Sequence, residues 1–171
     1  IRPDHDRAEE LYKKALKANP NNATNLGNYA ILLKNIRHDH DQAEKLYEQA
    51  IKADPNNAIS LGNYSQLLFV TGRDEKGTKF AERALKLARQ GEEALCAECH
   101  FYLFMHSPRH RTTSGRALKA LLADGVTTGD WSFEENLERL TQEENPRYKL
   151  ARAVAEALRN GDTSALDDFE E

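Results

Sequence analysis

The chain has 171 residues, of which 39% are hydrophobic and 30% charged, with a formal net charge of −4. That length suits one domain or one continuous repeat array, and the composition is globular. The acidic balance argues against a dedicated nucleic-acid binder, no apolar run approaches the ~20 residues of a membrane span, and two cysteines make no disulfide framework. The N-terminus lacks the charged start and apolar core of a signal peptide, so a reducing cytoplasm is expected. Both ends read as cut. Ile1 opens just before a helix start, and Phe169-Glu170-Glu171 stops without a capping signal.

Taken in order, Asp6-Arg7-Ala8-Glu9 reads as a capping box opening a helix, with Asp on the free amides and Glu three residues on. Leu11, Ala15 and Ala18 follow at helical spacing. Pro20 stops this helix within Asn-Pro-Asn-Asn, because proline lacks the donor that continuation needs. The next Asn can cap a second helix carrying Leu26, Tyr29, Ala30 and Leu33 on one side. The same plan then repeats. Residues 41–70 match residues 6–35 at 18 of 30 positions, and Pro55 lies 35 residues after Pro20. Asp41-Gln42-Ala43-Glu44 reads as the second capping box, followed by Leu46, Ala50 and Ala53, then by Leu61, Tyr64, Ser65 and Leu68. A repeat of this length is a supersecondary unit that buries its apolar face only against a neighbour.

Gly72-Arg73-Asp74 turns into a helix over 75–87 with Gly77, Ala81, Ala84 and Leu85. A further helix spans Glu92 to His106, with Leu95, Cys99, Tyr102 and Met105 at helical spacing, and Ser107-Pro108 ends it. Gly115 to Ala123 reads as a short helix closed by Asp124-Gly125, where glycine suits the left-handed cap. After a loop over 127–131, Ser132-Phe133-Glu134-Glu135 reads as a capping box for a helix to about Thr141. Asn145-Pro146 starts the next, with Leu150, Val154, Ala155 and Leu158 as its stripe and Asn160-Gly161 as its stop. A last short helix is expected from Ser164 to Phe169.

Small, aromatic, small and proline positions recur as Ala8, Tyr12, Ala15 and Pro20, and again as Ala43, Tyr47, Ala50 and Pro55. This pattern resembles the tetratricopeptide repeat family, with a period one residue longer than the usual ~34. The extra residue is placed in the turn around Arg37 to Asp39. The resemblance covers residues 4–90 well and 92–124 loosely. It implies an all-α fold: a right-handed α-solenoid of helix pairs over 1–124. The remainder, 125–171, reads as a helical C-terminal cap of the same continuous domain, since terminal repeats shield a core from water.

Cys96-Ala97-Glu98-Cys99-His100 matches the covalent haem pattern, but it sits within a helix needed for packing, so no cofactor is expected. Cys96, Cys99, His106 and His110 offer the two sulfurs and two nitrogens of a zinc site, yet a continuous helix would spread them apart, and no metal is assigned. Pro3-Asp4-His5-Asp6 and His38-Asp39-His40-Asp41 also look like ligand clusters, and packing at corresponding turns is preferred. Arg109-His110-Arg111 with Arg116 and Lys119 makes a basic patch, read as a solvated surface. No Ser-His-Asp constellation or phosphate loop appears, so no enzyme is expected.

The resemblance implies a non-catalytic scaffold that binds a protein or peptide along the concave side of the first helix of each pair. Placing the core side on Leu26, Tyr29, Ala30 and Leu33 puts Thr24, Gly27, Asn28, Ile31 and Asn35 on that side. In the next repeat the positions are Ile59, Gly62, Asn63, Gln66 and Val70, with Phe69 at the margin. Gly27 and Gly62 would let a ligand backbone approach, and Asn28 and Asn63 would hold its main chain. Where the family's chaperone-tail binders carry a Lys and Asn clamp, this chain has Gly27 and Ile31, then Gly62 and Gln66, so that specificity is not expected. No nucleic-acid or membrane partner is expected, and the repeat ends offer a route to weak self-association. The rival reading is a sensor or scaffold segment of a larger effector enzyme.

Overall fold

A computed structural model describes residues 4–129, 131–164 and 166, and every regular element among them is helical. α1 spans His5–Ala18, α2 Ala23–Leu32, α3 His40–Ala53, α4 Ala58–Val70 and α5 Asp74–Leu87. α6 spans Glu93–His106, α7 Arg111–Ala123, α8 Glu134–Gln142 and α9 Tyr148–Asn160. Consecutive helices from α1 to α7 pack in order, and α2, α4 and α6 also contact one another as a stack. This is an all-α helical-repeat solenoid.

Asn22 and Asn57 cap α2 and α4 as predicted, their side chains accepting from the Asn25 and Ser60 amides at 2.9 Å. The expected capping boxes are shifted. Asp4 and Asp39, not Asp6 and Asp41, accept from the Arg7 and Gln42 amides at 3.0 Å. In each Asp-His-Asp run the earlier aspartate takes the cap, and the later one falls in the first turn, where its charge still favours the free amides. Glu9 and Glu44 are thereby released for another task. They accept from the hydroxyls of Tyr29 at 3.2 Å and Tyr64 at 2.8 Å, tying α1 to α2 and α3 to α4.

The extra residue of the long repeat is not in the turn at Arg37 to Asp39. A π-helical turn, Leu33–Arg37, follows α2 and ends on His38 in the left-handed region at φ 53°. The matching left-handed residue after α4 is Gly72. The two caps Asn22 and Asn57 are one residue further apart than His38 and Gly72. The insertion therefore lies inside the helix and is absorbed as a π bulge, the usual way a helix accepts one residue.

Tyr29, Leu33, Ala50, Tyr64, Leu68 and Ala84 are all buried, as the periodicity predicts. Tyr12 stacks on Tyr29 and Tyr47 on Tyr64, both with ring centroids 5.9 Å apart, so the repeated tyrosines form the same contact twice. Ala43, Ala81 and Ala84 are fully enclosed and let the helix pairs close up. α7 starts four residues before the predicted Gly115, and Gly125 and Gly161 take the left-handed conformations expected after α7 and α9. The expected helix from Ser164 to Phe169 falls largely outside the described residues.

α9 packs on α6 and α8, and α8 reaches back to α4. The tail thus returns to the face of the array made by the stacked helices α2, α4 and α6.

Candidate protein-binding face

The predicted concave residues divide sharply between the two repeats. In the first, Thr24 and Asn28 are exposed and Ile31 and Asn35 are half-buried. In the second, Gly62, Asn63, Gln66 and Phe69 are buried, Val70 is half-buried, and only Ile59 is open to solvent. Gly27 is buried as well. A β-carbon there would meet Ser60 Oγ of α4 at 3.2 Å, and one at Gly62 would overlap Leu95 of α6. Both glycines serve the close approach of one repeat's first helix to the next, not the approach of a ligand backbone. Asn63, at 3% exposure, is likewise closed off from an external peptide.

What covers the second-repeat strip is α6 and the chain's own tail. Gln66 Nε2 donates to the Tyr102 hydroxyl at 2.6 Å and to the main-chain carbonyl of Ser132 at 3.4 Å. Phe133 lies against Phe101, with centroids 4.5 Å apart, and against Tyr102 at 6.0 Å. The Trp131 indole N–H is buried beside the Tyr102 hydroxyl without closing a hydrogen bond of normal geometry. Phe69 stacks on Tyr102 at 5.8 Å and on His106 at 5.4 Å. Asn136 Nδ2 donates to His106 Nε2 at 2.6 Å. Burial, with the Arg139 guanidinium nearby, holds His106 below the ordinary histidine range.

Polar contacts run along the same seam. Arg139 donates to both oxygens of Asp74, at 2.5 and 2.9 Å, and also to the Phe69 carbonyl. One turn earlier on α8, Glu135 Oε1 stands 3.1 Å from His38 Nδ1 and 3.1 Å from His40 Nε2. Its other oxygen is 3.5 Å from the Lys34 ammonium, whose side chain is only 3% exposed. Burial works to raise the Glu135 carboxyl, but Lys34, His38 and His40 together outweigh it and leave it lowered. Lys34 is itself lowered by burial, against the pull of Glu135 and Glu98. Burial pushes the Glu98 carboxyl up to about 8, opposed by Lys34. Lys34, His38, His40, Glu98, Glu135 and Arg139 were not identified as face residues in the sequence. Their one legible signal was α4, whose apolar residues occupy every side, a mark of a helix buried all round.

The candidate Cys/His ligands are not brought together. Cys99 is buried against Gly62, and Cys96 is half-buried. His106 stacks on Phe69, while His110 bonds Ser107 Oγ at 2.8 Å and faces Glu82 at 3.0 Å. His100, the would-be haem ligand, faces Ser114 Oγ at 3.2 Å. Burial pushes the Cys99 thiol well above the ordinary range, the opposite of an activated thiolate. The basic patch is partly neutralised, since Arg109 also pairs with Glu82 at 2.9 Å.

Among the described residues no helix is long and apolar enough to cross a membrane. A comparison with curated proteins finds no match. Two sequence models of the tetratricopeptide repeat do match, one over residues 11–45 and the other over 36–98. Together they span residues 11–98, just over half the chain, and those residues form the latter part of α1, all of α2 to α5 and the first part of α6. The matched stretch and its repeated helix pairs agree: the chain belongs to the tetratricopeptide repeat family.

Proposed function

We propose that the chain is a non-catalytic scaffold that binds a protein or peptide on the face of α2, α4 and α6, and that its own tail, residues 131–143, occupies part of that face as a resident ligand. Repeats of this family commonly mediate protein–protein interaction. The observation that carries the reading is the contact set at Gln66, which bonds a main-chain carbonyl of the tail while Phe133 fills the adjoining aromatic pocket. Helix-in-groove docking uses such apolar anchors with polar groups fixing register. The remainder, exposed Thr24 and Asn28 with half-buried Ile31 and Asn35, extends the same face and is the part available to an outside partner without displacing the tail. A partner that resembles the tail, amphipathic and acidic, would compete for the rest.

The test is a labelled peptide of residues 131–143 added to the full chain. A variant with Phe133→Ala and Leu137→Ala, confirmed helical by circular dichroism, should bind it at least ~10-fold more tightly than the unaltered chain, because a competing intramolecular ligand lowers the fraction of binding-competent protein. Adding Gln66→Ala should weaken that binding. Equal, negligible binding to both chains would contradict the proposal.

A further inference from the structure

The turn carrying His38-Asp39-His40 gains a third donor from 95 residues away in sequence. Glu135 Oε1 lies 3.1 Å from one nitrogen of each ring, and the donor atoms of the three residues all fall within 4.8 Å of one another. Two ligands ~2.0–2.1 Å from a tetrahedral zinc ion stand ~3.3 Å apart, so the two 3.1 Å separations from Glu135 nearly match a coordination edge, and the two ring nitrogens lie within 4.8 Å of each other. Asp39 is excluded from the set, since its carboxylate caps α3 and also accepts from the Gln42 side chain at 2.7 Å. Lys34 is held on Asn35 Oδ1 at 2.6 Å and on the far oxygen of Glu135 at 3.5 Å, leaving Oε1 turned to the two rings. His38 is 68% exposed, and a cleft of ≈ 170 Å³ opens beside the cluster, its lining including His38, Glu134, Glu135 and Glu138 together with Lys34. A cation has a way in, and a solvent ligand has room.

We propose that His38, His40 and Glu135 bind a divalent zinc ion through His38 Nδ1, His40 Nε2 and Glu135 Oε1, with solvent in the remaining position. Two imidazoles and a carboxylate are a donor set suited to zinc rather than to calcium or magnesium. The ion is a staple. It joins the turn between the first two helix pairs to α8, and a ligand that binds only the docked arrangement stabilises that arrangement by mass action. The nearby Lys34 ammonium works against the dication, so the affinity is moderate. The site stands apart from the identity of any protein partner, since it needs only the tail's docked position. The corresponding turn before α1 carries His5, which among the described residues bonds to nothing on α8 and so makes an internal control.

The experiment is a titration of the full chain, stripped with chelator, using Zn²⁺ by calorimetry and Co²⁺ by visible absorption. One equivalent should bind, Co²⁺ should give the intense bands of a low-symmetry four-coordinate site, and Zn²⁺ should raise the thermal midpoint. Loss of a supporting outer-sphere group alone costs ~10–100-fold in affinity, so His38→Ala, His40→Ala and Glu135→Gln should each weaken binding at least ~10-fold. His5→Ala and the Cys96→Ser, Cys99→Ser pair should leave it unchanged. Circular dichroism confirms that each variant is folded. Absence of stoichiometric binding to the unaltered chain would overturn the proposal, as would binding retained in both His40→Ala and Glu135→Gln, or binding lost with the cysteines.

Discussion

Arg139 on α8 grips Asp74 at the start of α5 with two parallel bonds of 2.5 and 2.9 Å, across 65 residues of sequence. Four residues earlier, Glu135 meets His40, which occupies the matching first position of α3. Residues one turn apart on α8 therefore address the same structural position in two successive repeats, an acidic side chain in one and a basic side chain in the other. A helix and a repeat array share register here because residues four apart lie on one helix face. A bidentate guanidinium–carboxylate pair is also directional, which fixes the angle of α8 on the array.

The Arg139 side chain is 14% exposed and Asp74 34%, so the pair lies between the weak surface class and the costly buried one. Arg139→Ala should destabilise the chain by ~1–3 kcal/mol, part of it from the unbonded Phe69 carbonyl. A double-mutant cycle with Asp74→Ala in urea unfolding measures the coupling. A coupling near zero would mean that the pair does not hold the tail.

Leu68 has no exposed surface. Leu68→Ala should cost ~2–5 kcal/mol, the usual price of an internal cavity of that size. A loss below ~0.5 kcal/mol, typical of surface sites, would mean that the helix faces are wrongly assigned.

The two repeat glycines should behave differently. A β-carbon at Gly62 overlaps Leu95, while one at Gly27 only presses Ser60 Oγ at 3.2 Å. Gly62→Ala should destabilise by ~1–2 kcal/mol, overpacking exceeding the gain in helix propensity, which is up to ~1 kcal/mol. Gly27→Ala should stay within ~0.5 kcal/mol of neutral, because the propensity gain offsets a small shift of the serine. Chemical denaturation of both variants checks this, and equal effects would remove the distinction.

How far the sequence foretold the fold follows from how local each signal is. Asn22, Asn57, Pro20 and Pro55 act on their own turns, so helix ends were legible from them. The two-residue shift at Asp4 and Asp39 arose because each Asp-His-Asp run offers two competent caps, and choosing between them depends on where Glu9 and Glu44 are needed. The π bulge was invisible because it changes no residue pattern, only a hydrogen-bond register. On the face itself, Gln66 and Phe69 lie off the intra-pair core, so helical spacing marked them as free. Their covering groups, Tyr102, Ser132 and Arg139, lie 36 to 70 residues away, beyond any local periodicity.

Glu98 gives the array a pH dependence. Burial raises its carboxyl from 4.5 to about 8, so the folded state binds a proton more tightly than the unfolded state does. The associated stability is fully present below pH ~4.5 and is lost as pH rises through about 8. Glu98→Gln keeps a neutral side chain at every pH. It should stabilise the chain by ~1–3 kcal/mol at pH 9 and change little at pH 5. Thermal midpoints across that range test this, and a variant whose difference from the unaltered chain does not grow with pH would refute it.

The tail rests on the face of α2, α4 and α6, and the chain carries its own reporter of that docking. Trp131 is the sole tryptophan, half-buried beside Tyr102 at the start of the docked segment. Its fluorescence, with iodide quenching, should be measured in the unaltered chain and in Phe133→Ala, Arg139→Ala. Docking of the tail should give blue-shifted emission and weak quenching in the former. In the latter, emission and quenching should move toward the denatured values while far-ultraviolet circular dichroism still reports folded helices. Emission and quenching in the folded, unaltered chain equal to those in denaturant would contradict it.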